Sequence, residues 1–428
     1  MTDILSSQKP EGTDLSGPKH IVVIAHFAGS ERHGMVFGHY YLAREWVKLG
    51  HHVTVIAAGF AHTRQIQPVL SGRLTEESIQ GIRYLWLKTP EYCAESRLGR
   101  IRNLVSFAFQ VWALPLPISR ADLVVCSSHC PFAVHGSHRI ARRFRARMIF
   151  EVRDLWPLTL IELGGASRLN PIILAMQWSE DMAYRVCDKV ISVLPAASGY
   201  MQSRGMPLRK FSYVPNGISF DTTEPPSSES LATASEVIED LRDRGKFIIG
   251  YAGRFVPAGT LACLLRAVSI CANDKLHLFL LGDGYLRLEL ESLCGSLGLT
   301  ERVTFFGVVD KALVIPILAK LDALYLGLVR KPIFRFGVSP TKLNDYFMAA
   351  RPVIYAVDAP EDPVALSGGG ISCKAENVHS IAAAIRQISS MSPADRDRMG
   401  ILGRNWLLSN RTYDRLASKF LEVAFSDV

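Results

Sequence analysis

The amino-acid sequence predicts an α/β protein with two Rossmann-like, doubly wound parallel-sheet domains that face each other across a cleft. Two observations lead to this prediction. Short, continuous apolar runs alternate with helical segments along the whole chain, which is typical of parallel strands covered on both faces. The chain is also 428 residues long, too long for one typical domain and sufficient for two.

The predicted strands fall into two groups. They lie at residues 20–25, 53–57, 84–87, 123–126, 148–152 and 190–193 in the first half, and at 247–251, 277–281, 303–306, 323–326 and 352–355 in the second. Between the groups, residues 219–245 are rich in proline and serine and lack an apolar period, so they predict a surface linker. The predicted domains are therefore 20–218 and 246–410, with a loose polar tail over 1–19 and a helix over 411–428.

Composition restricts the functional class. The hydrophobic content of 48% and the charged content of 21% are typical of a globular protein with sizeable cores. No run supplies the roughly 18 uncharged apolar residues of a membrane span, and the polar N-terminus lacks the apolar segment of a secretory signal. The eight cysteines show no C-x-x-C spacing, which favours buried thiols in a reducing cytoplasm over disulfides or zinc.

The net charge of +8 is concentrated in the first half of the chain. Residues 1–215 contain 25 Lys/Arg and 16 Asp/Glu, a net charge of +9, and the remainder carries −1. Such an excess indicates an anionic partner. Nucleic acid is disfavoured because the sequence has no RNP motif, zinc-finger spacing or helix-turn-helix. The inner leaflet of a bacterial membrane is the preferred interpretation.

One segment of the first half supports a membrane surface. Three arginines precede an apolar run over residues 104–118, and Arg120 closes it. A basic rim beside an aromatic, apolar stretch predicts a helix that lies in the membrane interface without spanning it. The candidate membrane or acceptor residues are Arg97, Arg100, Arg102, Phe107 and Trp112. The alternative is a core helix of the first domain with a solvated basic start.

The most informative segment is residues 337–354. Gly337 to Pro340 has the composition of a loop, residues 341–350 have helical character, and 352–356 resemble a buried strand. A loop that leads into a helix N-terminus directs free backbone N–H groups and the positive end of the helix dipole at one point, which suits an anionic ligand. Lys342 adds a cation there, and Asp345, one turn later, can accept a hydrogen bond from a sugar hydroxyl. An ordinary capped helix is the alternative.

This segment resembles the donor-site sequence of retaining glycosyltransferases with the GT-B fold, family 4. It is most similar to the branch that builds bacterial surface polysaccharides, in which Gly-Val-Ser-Pro-x-Lys leads into such a helix. The resemblance extends over about residues 20–410. Its other matching stretches lie at residues 33–35, 40–51, 151–157, 214–217 and 281–284.

The resemblance implies that the second domain binds a nucleotide-sugar donor and that the C-terminal helix crosses back to the first domain. It places the glycine turn at 282–284 near the nucleotide base and Arg254 near the diphosphate. The candidate donor-binding residues are Gly34, Gly253, Arg254, Gly282, Gly284, Ser339, Thr341, Lys342 and Asp345. Gly337 stands where many members carry a glutamate, and Ala258 where many carry a lysine. Lys342 is therefore expected to supply the charge that faces the phosphates.

The candidate catalytic residues are Asp154, His129 and Lys342. Asp154 follows a predicted strand and precedes Leu-Trp-Pro, so it can orient or deprotonate an acceptor hydroxyl; a capping or ion-paired aspartate beside Arg153 is the alternative. His129 follows another strand, one position away from the histidine that related enzymes carry. Residues 29–34 do not form G-x-G-x-x-G, and no P-loop motif occurs.

No cofactor and no metal are expected. The sequence Asp395-Arg-Asp397 lies in a helical stretch far from any phosphate-type loop, and no His/Cys/Asp cluster has ligand spacing. Enzymes of the GT-B fold generally neutralise the leaving diphosphate with helix dipoles and cations.

The sequence thus predicts a cytoplasmic enzyme, peripherally bound to the inner membrane, that moves a sugar from a nucleotide donor, most simply UDP-linked, to a lipid-linked saccharide. A non-hydrolysing sugar-nucleotide epimerase shares the fold and is the first alternative, although the basic, apolar segment argues against it. A degenerate, non-catalytic scaffold subunit is the second, because of Gly337 and Ala258.

Overall fold

The computed structural model describes residues 17–34, 38–93, 96–219, 228–257 and 260–426. Most of the predicted tail and Ala258 lie outside these ranges. The chain divides into two compact units, which are described separately. The first comprises Met1–Pro215 with Tyr413–Val428, and the second comprises Asn216–Thr412.

The sheet of the first unit has strands β1 His20–Ile24, β2 His52–Ala58, β3 Leu74–Ile79, β4 Ile82–Leu87, β5 Leu123–Ser127, β6 Arg147–Val152, β7 Lys189–Ser192 and β8 Phe211–Tyr213. Their order is β3-β4-β2-β1-β5-β6-β7-β8. All neighbouring strands are parallel except β3, which pairs antiparallel with β4. The helices are α1 Gly38–Lys48, α2 Arg97–Ala113, α3 Val134–Phe144, α4 Leu158–Glu162, α5 Pro171–Val186 and α6 Ser198–Ser203.

The second unit repeats this architecture. Its helices are α7 Glu229–Asp243, α8 Leu261–Ile270, α9 Arg287–Ser296, α10 Lys311–Leu318, α11 Thr341–Met348, α12 Pro363–Ser367, α13 Val378–Ser390 and α14 Pro393–Asn410. Its strands are β9 Phe247–Ala252, β10 Leu276–Leu281, β11 Val303–Gly307, β12 Ala323–Gly327, β13 Val353–Ala356 and β14 Gly370–Cys373. They form a parallel sheet in the order β11-β10-β9-β12-β13-β14. The prediction of two Rossmann-like parallel-sheet domains is confirmed.

The prediction of a linker over residues 219–245 is wrong for most of its length. Residues 229–243 form α7, whose N-cap Ser228 accepts a hydrogen bond from the Leu231 backbone N–H. Ala234, Ile238 and Leu241 are buried in the core of the second unit. Their i, i+4, i+7 spacing is that of an amphipathic helix, which the serine and proline content of the preceding residues obscured.

The last helix, α15 Tyr413–Phe425, packs in the first unit although it follows the second in sequence. Its backbone accepts a hydrogen bond from Trp46 Nε1 at Ala417 O (3.1 Å), and the ring of Tyr413 stacks on Tyr41. Within the described ranges, no helix combines the length and the apolar character that a bilayer crossing requires.

Candidate active site

The carboxyl ends of β9, β10 and β11 in the second unit form a cavity of about 510 Å³. Its lining residues are Ala252, Gly253, Arg254, Leu281, Gly282, Asp283, Gly284, Val308, Val309 and Val314. Four predicted donor-binding residues therefore lie on one cavity, at the edge of a parallel sheet where such folds bind ligands. The volume is within the range of small-molecule sites.

Two turns of this cavity require glycine. Gly253 has φ 143° and Gly282 has φ 125°, in the region that side chains disfavour. The two turns also approach closely, because a Cβ on Gly282 would lie 2.0 Å from the Gly253 carbonyl oxygen. At these two turns the cavity wall is thus backbone, which leaves room for a ligand to approach closely, while the N–H groups of Gly253 and Gly282 donate to the carbonyls of Leu281 and Gly307.

Lys342, in the first turn of α11, extends to this wall. A Cβ on Gly253 would lie 2.1 Å from Lys342 Nζ. The ammonium donates to the Tyr251 hydroxyl at 2.8 Å and lies over that ring, 4.5 Å from its centroid. Burial lowers the pKa of Lys342 to about 8 and raises the pKa of Tyr251 to about 12. Because the phenol is neutral at pH 7, it does not neutralise the ammonium.

Asp345 does not pair with Lys342. Its carboxylate forms an ion pair with Lys311, the first residue of α10, whose side chain is largely exposed. Burial raises the pKa of Asp345, and Lys311 opposes this shift. The Lys311 contact is at the surface, so a ligand hydroxyl can compete for the carboxylate.

Hydrogen bonds from Asn216, the first residue of the second unit, hold the loop before α11. Ser339 accepts from the Asn216 backbone N–H through its hydroxyl (3.1 Å) and from the Asn216 amide through its carbonyl (2.9 Å). Asn344 donates to the carbonyls of Asn216 and Gly217. Ser339 is therefore part of the support of this loop, and Asn344 is a supporting residue that sequence reasoning missed. Thr341 is the exposed first residue of α11.

Two predicted catalytic residues meet at the carboxyl edge of the first unit. Asp154 follows β6, and half of its side chain is exposed; its Oδ2 lies 3.8 Å from Nε2 of His129, which follows β5. Burial and the nearby Arg153 lower the pKa of His129 to about 3, so the imidazole is neutral at pH 7. Partial burial of Asp154 raises the pKa of its carboxyl. A neutral imidazole beside a carboxylate is suited to orienting a hydroxyl and accepting its proton.

A buried network behind these groups was missed by sequence reasoning. Glu151, at the end of β6, accepts from His39 Nε2 and from Arg153 Nη1 (3.3 Å). Burial opposes ionisation of Glu151, but His39 and Arg153 lower the pKa of its carboxyl well below the usual range. Arg153 therefore pairs with Glu151, and its charge also acts on the Asp154 carboxyl, where it opposes the rise in pKa that burial causes. A glutamate inside an otherwise apolar strand was the signal for this network.

The remaining predicted residues of the first unit lie on other elements. Gly34 ends a short helical turn with φ 65°, and its position faces Gln65. On α2, Arg97 and Arg102 are exposed and Arg100 is half-buried. Trp112 is 49% exposed.

The structure corrects the prediction for Phe107. Its side chain is fully buried, so the prediction that it contacts a membrane or an acceptor is wrong. The apolar run of α2 supplies residues to two faces, and Phe107 lies on the face that packs into the unit. Among the described residues, no cluster of three His, Cys, Asp or Glu side chains has the geometry to hold a metal ion.

Comparisons with known proteins agree with this arrangement. Residues 34–217 match the family described as glycosyl transferase 4-like domain, and residues 246–390 match the glycosyl transferases group 1 family. No curated protein sequence gives a significant match. Together the two family matches cover about three quarters of the chain, one in each unit.

Solved structures share the fold at low sequence identity. Sucrose-phosphate synthase from Thermosynechococcus elongatus aligns with a TM-score of 0.67 and 16% identity, over 94% of this chain and 97% of that one. The Anabaena protein HepE in complex with UDP gives 0.62 and 14%, over 94% and 98%. A glycosyltransferase from Rickettsia africae gives 0.61 and 14%, over 95% and 98%. The chain belongs to the glycosyltransferases of the GT-B fold.

Proposed function

We propose that this glycosyltransferase transfers a sugar from a UDP-linked donor to a lipid-linked saccharide, with retention of anomeric configuration, during assembly of a bacterial surface polysaccharide. The observation that carries the proposal is the position of Lys342. Its ammonium donates to the neutral Tyr251 hydroxyl and lies against the glycine wall of the cavity in the second unit. HepE, which shares the fold, has been crystallised with UDP, with UDP and glucose, and with UDP-glucose.

In the proposed mechanism, the bond between the anomeric carbon and the diphosphate oxygen breaks first. Lys342, Arg254 and the N-terminus of α11 stabilise the negative charge of the leaving diphosphate, so no metal is needed. The acceptor hydroxyl attacks from the face that the diphosphate leaves. Its proton passes to Asp154, which His129 helps to orient. Asp345 holds the donor ribose, and the glycine turn at 282–284 lies beside the base.

The test is turnover with a panel of UDP-, GDP- and dTDP-sugars, with and without a lipid-linked acceptor. We expect release of UDP from one UDP-sugar, stimulation by the acceptor, and a product whose anomeric configuration matches the donor by NMR. Lys342→Ala should lower turnover by roughly 10²–10³-fold, the scale for loss of one preorganised electrostatic group. Lys275→Ala, at an exposed lysine of the same unit, serves as the control.

Three outcomes would contradict the proposal. Turnover in Lys342→Ala equal to the parent would remove this loop from the active site. Interconversion of nucleotide sugars without transfer would favour the epimerase. Binding of a donor without any turnover, even of its hydrolysis, would favour the scaffold.

A further inference from the structure

The helix α2 presents an apolar stripe to solvent. Leu98, Val105, Phe109 and Trp112 recur at i, i+7, i+11 and i+14, a spacing that places them on one face. They are respectively 78%, 48%, 59% and 49% exposed. Arg102 lies on the same face. Aligned exposed apolar side chains of this size are unusual on a monomer and indicate an interaction site.

The neighbouring helix α3 continues this surface with positive charge. The guanidinium of Arg139 lies over the Trp112 ring, 5.5 Å from its centroid, and donates to the Trp112 carbonyl. Arg142 and Arg143 are exposed one turn further on. Between residues 97 and 150 the chain carries nine arginines and one acidic residue, Asp122. Within these residues the positive charge therefore has almost no negative counterpart.

The helix α5 adds a second aromatic group on the other side of α3. His135, one turn before Arg139, stacks on Trp178 with 4.7 Å between the ring centroids. Trp178 is 59% exposed, and Leu174, one turn before it, is exposed as well. Trp112, the exposed side of α3 and Trp178 thus follow one another across three helices.

We propose that this three-helix surface of α2, α3 and α5 binds an anionic lipid bilayer. Tryptophans and basic side chains are the residues that occupy membrane interfaces. Lipid phosphates provide negative charge for the exposed arginines of α3, and the apolar groups of α2 and α5 enter the acyl boundary on either side. The surface is wider than the segment of residues 97–120 that the sequence predicts, and it uses Phe109 in place of Phe107.

The inference rests on the proposed function in one respect, since a lipid-linked acceptor requires the enzyme to work at a membrane. Binding of the bilayer is nevertheless independent of turnover. The surface is tested by variants outside the proposed donor and acceptor sites, so the two proposals can fail separately.

The experiment is sedimentation of the full-length protein with vesicles of phosphatidylglycerol and phosphatidylethanolamine, and with vesicles of phosphatidylcholine alone. We expect binding to the anionic vesicles, release as salt rises, and little binding to phosphatidylcholine. The double variant Arg142→Gln/Arg143→Gln should bind roughly 20–30-fold more weakly, about fivefold for each charge. Trp178→Ala should bind roughly tenfold more weakly because an apolar contact is lost.

Arg404→Gln, at an exposed arginine of α14 in the second unit, is the matched control and should bind like the parent. Hydrolysis of the nucleotide sugar should be unchanged in every variant. Parent-like binding of the α3 and α5 variants would overturn the three-helix surface, even if changes in α2 weaken binding. Equal binding to phosphatidylcholine, or no binding to either kind of vesicle, would overturn the anionic bilayer as the occupant of this surface.

Discussion

At the scale of single residues, burial shifts the pKa of several cations and acids of this protein. Lys342 is the clearest case because its ammonium is held by a neutral phenol and a ring face. Its pKa is lowered to about 8, so the ammonium is mostly protonated at pH 7 but loses its proton at a lower pH than an exposed lysine, and a nearby anion favours its charged form. The diphosphate of a donor is an anion of the required kind, so binding of the donor and protonation of Lys342 are expected to be coupled.

The first prediction concerns that coupling. The pKa of Lys342 is lowered to about 8 in the free protein, and a bound diphosphate raises it. Affinity for the UDP-sugar should therefore be constant below about pH 8 and should fall as pH rises through 8, approaching tenfold per pH unit. Calorimetric titration between pH 7 and 9.5 measures this. Lys342→Arg, which stays charged, should give a flat profile; a profile in the parent that is equally flat would contradict the coupling.

A second prediction concerns Glu180 in the first unit. Burial raises the pKa of this carboxyl to about 7, although Tyr184, Tyr200 and Gln177 donate to it. The folded pKa exceeds the unfolded value of about 4.5. The contribution of the protonated Glu180 carboxyl to the stability of the folded state is therefore complete below pH 4.5 and is lost as pH rises through 7. A shift of this size corresponds to about 3 kcal/mol.

Urea unfolding of the parent and Glu180→Gln at pH 5 and pH 8 tests this. The parent should lose more of its free energy of unfolding than the variant over this range. If both lost the same amount, Glu180 would not be responsible for the pH dependence.

At the scale of helices and strands, α15 shows how a distant segment completes a core. Phe420 is buried and its ring lies 5.2 Å from that of Trp46 on α1. Phe420→Ala should lower the free energy of unfolding of the first unit by about 3–5 kcal/mol. Lys419→Ala, exposed on the same helix, should change it by less than about 0.5 kcal/mol. Denaturation followed by tryptophan fluorescence measures both, and equal effects would show that α15 does not pack as described.

The sequence predicted the continuous apolar strands because each is buried on both faces, as in β5 and β10, where every residue is buried. It missed β3, whose polar residues pair only with β4 at the edge of the sheet. It also missed α7, because the serine and proline content of the residues before this helix obscured its short amphipathic period. Side chains whose partners come from distant parts of the chain, such as His39 on α1 and Glu151 on β6, cannot be paired from spacing alone.

At the scale of the whole molecule, sequence and structure assign different chemistry to the two units. The second carries a glycine-walled cavity with a buried lysine, and the first carries the histidine and carboxylate pair together with most of the positive charge. The sequence of residues 337–354 predicted correctly that Lys342 lies where a loop leads into a helix. The cavity itself could not be predicted, since it needs the ends of three strands at one place.

The central claim is that the cavity of the second unit binds the nucleotide diphosphate through Lys342. Calorimetric titration of UDP into the parent, Lys342→Ala and His129→Ala at pH 7.5 tests it most directly. We predict one UDP site in the parent, affinity roughly 10–100-fold weaker in Lys342→Ala, as for loss of a charge-assisted hydrogen bond, and unchanged affinity in His129→Ala. Parent-like affinity in Lys342→Ala, or loss of UDP binding in His129→Ala alone, would contradict the account.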